Sequence, residues 1–271
     1  MNQLVTDVNE AHPARERGFA VTTYGVRIAI HGSESLALRR ITDSLPPPWR
    51  FIRTRSIQRV YSFVVPRRRG IHVLYRDIAE IARGTKLGEI LDAFESDVQL
   101  FVAERAPRHV FLHAGVVGWR GRAILLPGRS MSGKSTLVAE LIRSGATYYS
   151  DEYAVLDAAG RVHPYARPLQ LRKRSNSRHS RSCDEAAAGV QHRALPVGLV
   201  VLSTYRPGAR WQPRMLTAAQ GALALLDQAV GARHAPARVL AVIGEVAKRA
   251  RFLCGPRGEA VETAPLVLAR G

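Results

Sequence analysis

The sequence predicts an α/β fold, with a phosphate-binding-loop core preceded by a small N-terminal α+β region. In the C-terminal part of the 271-residue chain, short apolar runs typical of strands alternate with helical patterns. Residues 123–145 have the pattern of a strand, a glycine-rich loop and a helix, in that order. We therefore assign residues 1–108 to the N-terminal region and residues 109–271 to the core.

The N-terminal region is predicted to contain several strands and one helix. Residues 24–31 alternate apolar and smaller side chains, as a strand does, whereas residues 1–20 look irregular. The β-rich stretch 59–76 is interrupted by three arginines and a glycine, which is typical of a hairpin. Apolar residues then recur at helical spacing, so we expect a helix capped by Thr85 that ends near Arg105.

The C-terminal core is predicted to mix strands and helices. Its short apolar runs are predicted strands, at 110–112, 123–126, 146–150, 153–156, 162–163, 195–202, 251–254 and 266–268. Thr217 and Gln220 have the spacing of a capping box, for a helix that reaches about Val230. Pro236 suits the first turn of another helix, which is expected to reach about Ala250.

Residues 128–135 read Gly-Arg-Ser-Met-Ser-Gly-Lys-Ser, which matches the phosphate-binding loop pattern G-x-x-x-x-G-K-[ST]. In such a loop, backbone N–H groups and the N-terminus of the next helix hold phosphate oxygens. Lys134 is expected to reach the terminal phosphates of ATP, and the Ser135 hydroxyl to bind Mg²⁺. The predicted nucleotide-binding residues are Gly128, Arg129, Ser130, Met131, Ser132, Gly133, Lys134, Ser135 and Thr136. The alternative is a glycine-bearing turn without a ligand.

Phosphoryl transfer also needs a carboxylate, either to hold Mg²⁺ or to accept a proton. Asp151 and Glu152 are the candidates because they follow 146–150, which we expect to form a strand beside the phosphate-loop strand. Acids are scarce here, since Asp157 is the only one between this pair and Asp184. A surface turn that happens to carry two acids is the alternative.

The charge of the chain favours anionic partners. It has 40 Lys+Arg against 22 Asp+Glu, a formal net charge of +18, and 46% of its residues are hydrophobic, enough for a core. Residues 161–214 carry eleven basic and two acidic residues, which is half of the excess. Their arginine-rich part, 172–182, is a substrate clamp, a nucleic-acid surface or a solvated loop. No aromatic residue interleaves it to stack on bases, which disfavours nucleic acid.

Other patterns are missing from the sequence. No apolar run approaches the ~20 residues that cross a bilayer, and no signal peptide is recognisable, so no membrane partner is expected. Cys183 and Cys254 stand alone, which favours a reducing, cytoplasmic location. No Cys/His cluster suggests zinc. The oligomeric state stays open, a homo-oligomer included.

Several of these features, in this order, resemble the HPr kinase/phosphorylase-like kinases, whose fold is related to phosphoenolpyruvate carboxykinase. His113 precedes the loop strand, and the Asp-Glu pair begins 16 residues after Ser135. The segments 163–172 (His-Pro-Tyr-Ala-Arg-Pro-Leu-Gln-Leu-Arg) and 203–208 (Ser-Thr-Tyr-Arg-Pro-Gly) are similar to later segments of that family. The resemblance covers about residues 85–271 and implies a phosphate-loop core of this family's type.

The resemblance also implies roles for individual residues. Asp151 matches the catalytic base, and Glu152 matches the second acid that supports Mg²⁺ or the base. The expected catalytic residues are His113, Lys134, Asp151 and Glu152, and the expected metal ligands are Ser135, Asp151 and Glu152. The arginines expected to contact phosphate or substrate are Arg167, Arg172, Arg206 and Arg210. His113 is expected to polarise a phosphate or to orient an acid.

Two departures from the family narrow the range of expected substrates. Gln170-Leu-Arg-Lys173 stands where the HPr-specific enzymes have Glu-x-Arg-Gly, and Thr136 stands where they commonly have an acid, so HPr is not the expected substrate. The closer likeness is to stand-alone relatives that phosphorylate a serine of a lasso-peptide precursor, typically at its C-terminus. The sequence thus predicts an ATP- and Mg²⁺-dependent serine kinase acting on a peptide or small protein. A nucleotide-binding regulatory protein and a nucleic-acid-binding ATPase are the alternatives.

Overall fold

A computed structural model describes most of the chain. The described residues are 17–32, 40–66, 70–128, 133–165 and 193–271. The chain divides into two compact units, Met1–Pro107 and Arg108–Gly271. It contains two sheets with accompanying helices, so the mixed α/β class expected from the sequence is confirmed.

The N-terminal unit contains a six-stranded sheet and a long helix. Its strands are β1 (Arg17–Thr23), β2 (Val26–Gly32), β3 (Trp49–Ile52), β4 (Arg59–Val64), β5 (His72–Arg76) and β6 (Ala79–Gly84), in the order β3-β1-β2-β4-β5-β6. Helix α1 (Leu87–Arg105) packs on β5 and β6. Its Phe94 lies edge-on against Tyr61 and Phe63, and the three rings are fully buried. This aromatic cluster joins the helix to the sheet.

The beginning of this unit and of α1 differs from the prediction. Tyr24 and Gly25, with φ of 47° and 82°, form the turn between β1 and β2. The strand expected over residues 24–31 therefore begins at Val26. Residues 17–20, expected to be irregular, pair with β2 as part of β1. The predicted N-cap Thr85 is also wrong, because Lys86 occupies that position and no side chain caps the helix.

The C-terminal unit contains an eight-stranded sheet. Its strands are β7 (Val110–Trp119), β8 (Arg122–Pro127), β9 (Thr147–Ser150), β10 (Tyr153–Leu156), β11 (Arg161–His163), β12 (Leu195–Tyr205), β13 (Arg214–Leu216) and β14 (Arg251–Arg257). The order is β11-β10-β7-β8-β12-β14-β13, and β9 pairs with β7. The described helices are α2 (Lys134–Arg143), α3 (Ala218–Leu226), α4 (Pro236–Ala247) and α5 (Ala260–Leu268).

The sheet of this unit has helices on both faces, which explains the uninterrupted apolar sequence of β8. Ala123 and Leu125 belong to the apolar cluster that includes buried side chains of α3 and α4. Ile124 and Leu126 belong to the cluster that includes side chains of α2 and α5. Because successive strand side chains point to opposite faces, both sets are buried, as expected for a strand covered on both sides.

The helix ends of this unit follow their local sequence. The capping box of Thr217 and Gln220 is confirmed, with both reciprocal hydrogen bonds present, although α3 ends at Leu226 instead of near Val230. Pro236 is the first residue of α4, also as predicted, and α4 ends at Ala247. The predicted strand 266–268 is wrong, because these residues belong to α5, which packs against α2.

Three neighbouring strands place their ends at one edge of this sheet. β8, β12 and β14 run parallel, so Pro127, Tyr205 and Arg257 end their strands on the same side. The expectation that β9 lies beside the phosphate-loop strand is wrong. β9 pairs with β7, and β8 lies between β7 and β12. Ligands of α/β sheets bind at the carboxyl ends of parallel strands, so this edge is the natural place for a site.

Candidate functional site

The N-terminus of helix α2 is the centre of the candidate site. Gly133 precedes the helix in a left-handed conformation with φ of 80°, and Lys134 and Ser135 are the first helical residues. The Lys134 ammonium is half-buried and donates a hydrogen bond to the carbonyl of Gly128, directly after β8. The two ends of the predicted phosphate loop therefore meet. Residues 129–132, between them, lie outside the described part of the chain.

The carboxylate of Asp151 lies beside the start of α2, although it is 16 residues away in sequence. Ser135 Oγ donates a hydrogen bond to Asp151 Oδ2 over 3.3 Å. The hydroxyl of Tyr148, a residue of β9 that is 3% exposed, donates to the other oxygen, Oδ1, over 3.1 Å. The carboxylate is thus held from both sides, by a helix residue and by a strand residue.

A buried serine shapes the turn that carries the acidic pair. The Ser150 hydroxyl accepts hydrogen bonds from the N–H groups of Glu152 at 3.2 Å and of Tyr153 at 3.1 Å. The Glu152 carbonyl accepts from the N–H of Ala114 at 3.2 Å, which joins the turn to β7. This local hydrogen bonding satisfies the backbone between β9 and β10. The Glu152 side chain is exposed, one residue beyond Asp151.

His113 lies at the point where β7 changes partners. Its N–H donates to the carbonyl of Gln228 at 2.9 Å, and its carbonyl accepts from the N–H of Gly128 at 3.2 Å. The ring lies 5.0 Å from the ring of Tyr153, between centroids. Burial, and then the positive charge of Lys134, lower the pKa of His113 below its ordinary value. His113 is therefore neutral near pH 7, in a position beside the predicted loop.

Charges at the site influence one another. Burial lowers the pKa of the Lys134 ammonium, while the negative charges of Asp151 and Glu152 oppose that shift. Burial, and then Asp151, raise the pKa of Tyr148, so its phenol stays protonated and remains a donor to the carboxylate. A half-buried cation and a carboxylate pair therefore lie close enough to affect each other.

The Ser135 hydroxyl and the Asp151 carboxylate fit a magnesium ion in chemistry and in spacing. Neighbouring ligands of an octahedral Mg²⁺ at 2.0–2.1 Å are about 3 Å apart, close to the 3.3 Å measured here between the two oxygens. Magnesium sites at phosphates often use one or two carboxylates, with phosphate and water oxygens completing the shell. Among the described residues, no three His, Cys, Asp or Glu side chains are grouped as a complete protein-only metal site.

The remaining predicted site residues are divided between described and undescribed parts of the chain. Arg206 directly follows β12, and its N–H donates to the carbonyl of Arg257 at 2.9 Å. The side chains of Arg206 and Arg210 are exposed, as is Thr136 on α2. The predicted residues outside the described ranges are Arg129, Ser130, Met131, Ser132, Arg167 and Arg172.

Three residues at this edge escaped the sequence analysis. Tyr148 and Ser150 belong to a strand that was predicted, and their alternation within β9 could have suggested that some side chains face the acidic pair. Arg257 was missed because the predicted strand stopped at Cys254, before Gly255 and a proline. Its guanidinium donates to the carbonyl of Gly133 at 2.9 Å. Only the parallel pairing of β12 with β14, a non-local feature, brings it there.

Comparison with protein families found no match to this chain, and comparison with curated proteins also found none. None of the helices in the described ranges has both the length and the apolar composition of a membrane span. The geometry at the start of α2 is therefore the main guide to function.

Proposed function

We propose that the protein is an ATP-dependent kinase that transfers the γ-phosphoryl group to a serine hydroxyl of a peptide or small protein. The observation that carries the proposal is the contact of Ser135 with Asp151 at the helix N-terminus that begins with Lys134. A hydroxyl, a carboxylate and a lysine at this point of a strand–loop–helix unit are the groups that phosphoryl transfer uses. The resemblance to the HPr kinase/phosphorylase-like kinases supports the same reaction and the same type of core.

Different residues of the chain are proposed to bind MgATP and to transfer the proton. When bound, MgATP supplies the transferable phosphoryl group and the cation that neutralises its charge. The N–H groups at the start of α2 and the Lys134 ammonium bind phosphate oxygens. Ser135 and Asp151 hold the cation, and Glu152 supports it from the exposed end of the turn. His113, neutral near pH 7, is a hydrogen-bonding partner for a phosphate or an acid.

Asp151 is also the base that accepts the proton of the serine hydroxyl. Its Oδ1 is kept in place by Tyr148 and its Oδ2 by Ser135, so the carboxylate does not need to reorient when the hydroxyl arrives. A carboxylate that is already oriented needs no rearrangement during proton transfer, and this supports Asp151 as the base.

The substrate is proposed to be a peptide with an accessible serine, and a lasso-peptide precursor with a C-terminal serine is the narrower form of this proposal. That narrower form comes from the resemblance to stand-alone relatives. The net charge of +18 favours an anionic partner in either case. Arg206 and Arg210, exposed beyond the end of β12, are proposed to contact the carboxylate or phosphate of the substrate.

The test compares the wild type with Asp151→Asn, using radiolabelled ATP and a set of serine peptides that includes peptides ending in serine. Loss of the base should slow transfer by about 10²–10⁴-fold. Asp157→Asn is the matched control, because Asp157 lies in another turn and bonds Arg161 and His163 instead. Transfer by Asp151→Asn at the wild-type rate would refute the assigned role. Tight ATP binding by the wild type without transfer to any peptide would favour a regulatory nucleotide-binding protein.

A further inference from the structure

Arg257, the last residue of β14, is a buried cation beside the start of α2. Only 2% of its surface is exposed. Its Nη2 donates to the carbonyl of Gly133 at 2.9 Å, and its Nη1 donates to the carbonyl of Gly258 at 3.0 Å. Its Nε has no hydrogen-bond partner among the described residues. The guanidinium carbon also lies 5.5 Å from the centre of the Tyr205 ring.

The electrostatic setting of Arg257 is unfavourable for a residue with a purely structural role. Burial lowers the pKa of the guanidinium, and the nearby charge of Glu259 opposes that shift. Glu259 accepts a hydrogen bond from the Tyr205 hydroxyl at 2.6 Å, and in the described part of the chain no carboxylate forms an ion pair with Arg257. A buried cation without a paired carboxylate is costly for folding. Natural proteins violate such rules of folding mainly at functional sites.

The carbonyl that Arg257 holds belongs to the peptide between Gly133 and Lys134. That carbonyl also accepts from the N–H of Leu137 at 3.2 Å, so it points along α2. In a trans peptide the C=O and N–H groups point in opposite directions, and the N–H of Lys134 therefore points out of the helix N-terminus. Anions bind at that end of a helix.

Glycine is required for this close approach. A Cβ added at Gly133 would lie 2.5 Å from Arg257 Nη2, and the φ of 80° disfavours other residues. The absence of a side chain at Gly133, at the start of α2, therefore leaves the space that the Arg257 guanidinium, at the end of β14, occupies.

We propose that Arg257 is a positioning residue, which holds the peptide between Gly133 and Lys134 so that the Lys134 N–H faces a nucleotide phosphate. It acts through the carbonyl of Gly133, on the side of the peptide opposite to the phosphate. The inference rests on the proposed function, because the phosphate in question is that of the bound nucleotide. Arg257 thereby links the end of β14 to the predicted phosphate loop.

The test measures two quantities in Arg257→Met and Arg257→Lys. The first is affinity for a non-hydrolysable ATP analogue, measured by calorimetry, and the second is amide hydrogen exchange of residues 133–143 without nucleotide. Arg257→Met should bind the analogue about tenfold more weakly, the value of one charge-assisted hydrogen bond. Exchange at Leu137 should become faster, because its acceptor is no longer held. Arg257→Lys keeps the charge but lacks the planar fork that bonds both carbonyls, and it should recover part of both effects.

Arg251→Met is the control, because Arg251 is exposed at the other end of the same strand. Unchanged analogue affinity in Arg257→Met would overturn the inference. So would weaker affinity with unchanged exchange, since Arg257 would then contact the phosphate directly instead of through Gly133. If the wild type binds no analogue, the proposed function fails and the inference fails with it. That result differs from failure of the inference alone, in which the wild type and Arg257→Met bind equally.

Discussion

Ser135 donates a hydrogen bond to Asp151 across the start of helix α2, with 3.3 Å between the two oxygens. The two side chains come from different elements, α2 and the turn after β9. The contact therefore depends on the tertiary structure. The two oxygens are close enough for a single bound ion to contact both of them. If a magnesium ion occupies that point, both residues should affect its affinity.

Removing the Ser135 hydroxyl should weaken magnesium binding more than nucleotide binding. Ser135→Ala is expected to raise the Mg²⁺ concentration needed for half-maximal transfer by about tenfold, the value of roughly 1.4 kcal/mol. Ser144→Ala, at the other end of the same helix, is the control. An unchanged Mg²⁺ requirement in Ser135→Ala would exclude this hydroxyl as a ligand.

The hydroxyl of Tyr148 should contribute to stability through Asp151. Tyr148→Phe removes a buried hydroxyl that donates to the half-buried Asp151 carboxylate, so we expect a loss of about 1–3 kcal/mol in the free energy of unfolding. Tyr205→Phe is the matched control, since its hydroxyl also bonds a carboxylate, Glu259, but the residue is 43% exposed. It should lose less than about 1 kcal/mol. If Tyr148→Phe and Tyr205→Phe lost the same free energy of unfolding in urea, burial of the hydrogen bond to Asp151 would add nothing to stability.

Local sequence was sufficient for the parts of the fold that depend on neighbouring residues. The capping box at Thr217 and the start of α4 at Pro236 were predictable, because caps involve residues three positions apart or a single proline. The run 266–268 was mistaken for a strand, since three apolar residues have no distinguishing period. Its helical state depends on packing of α5 against α2.

The arrangement of the site depended on pairings that sequence does not specify. The acids after residue 150 were predicted to follow a strand, and Asp151 does follow β9. The neighbour of β9 was wrongly chosen, however, because the same stretch of β7 pairs with β8 on one side and with β9 on the other. Arg257 reaches Gly133 only because β14 lies parallel to β12 and extends as far as Tyr205. No local pattern contains that information.

Removing the ammonium of Lys134 should stabilise the nucleotide-free protein while it abolishes nucleotide binding. Burial lowers the pKa of this group although Asp151 and Glu152 oppose the shift, so the ammonium is less favourable in the folded protein than in the unfolded chain. Lys134→Met is expected to raise the free energy of unfolding by about 1 kcal/mol. Lys248→Met, an exposed lysine paired with Glu245, should change it by less than about 0.5 kcal/mol. A destabilised Lys134→Met protein would contradict the prediction.

Alanine at Gly133 should damage both stability and binding. The left-handed φ of 80° costs about 1–2 kcal/mol for a residue with a Cβ, and that Cβ would also collide with Arg257. Gly121→Ala is the matched control, because Gly121 has φ of 77° but open space around its Cβ position. Both variants should lose stability, and only Gly133→Ala should also lose affinity for an ATP analogue. Equal analogue affinity in the two variants would argue against a role for this contact in binding.

The stability of the protein should fall as the pH is lowered through the titration range of histidine. Burial lowers the pKa of both His109 and His113, so the unfolded chain, with a histidine pKa of about 6.5, binds protons more readily than the folded protein. The stabilisation is complete above about pH 6.5 and is lost below it, as the pH approaches the lowered folded pKa values.

Urea unfolding between pH 5 and 7.5 measures this loss for each histidine. His113→Gln should reduce the slope of the unfolding free energy against pH by at most about 1.4 kcal/mol per pH unit, the limit for one proton. The charge of Lys134 is the second cause of the His113 shift, so Lys134→Met should reduce the same slope by a smaller amount. A wild-type slope in His113→Gln would mean that His113 titrates equally in the folded and unfolded states, despite its burial beside Lys134.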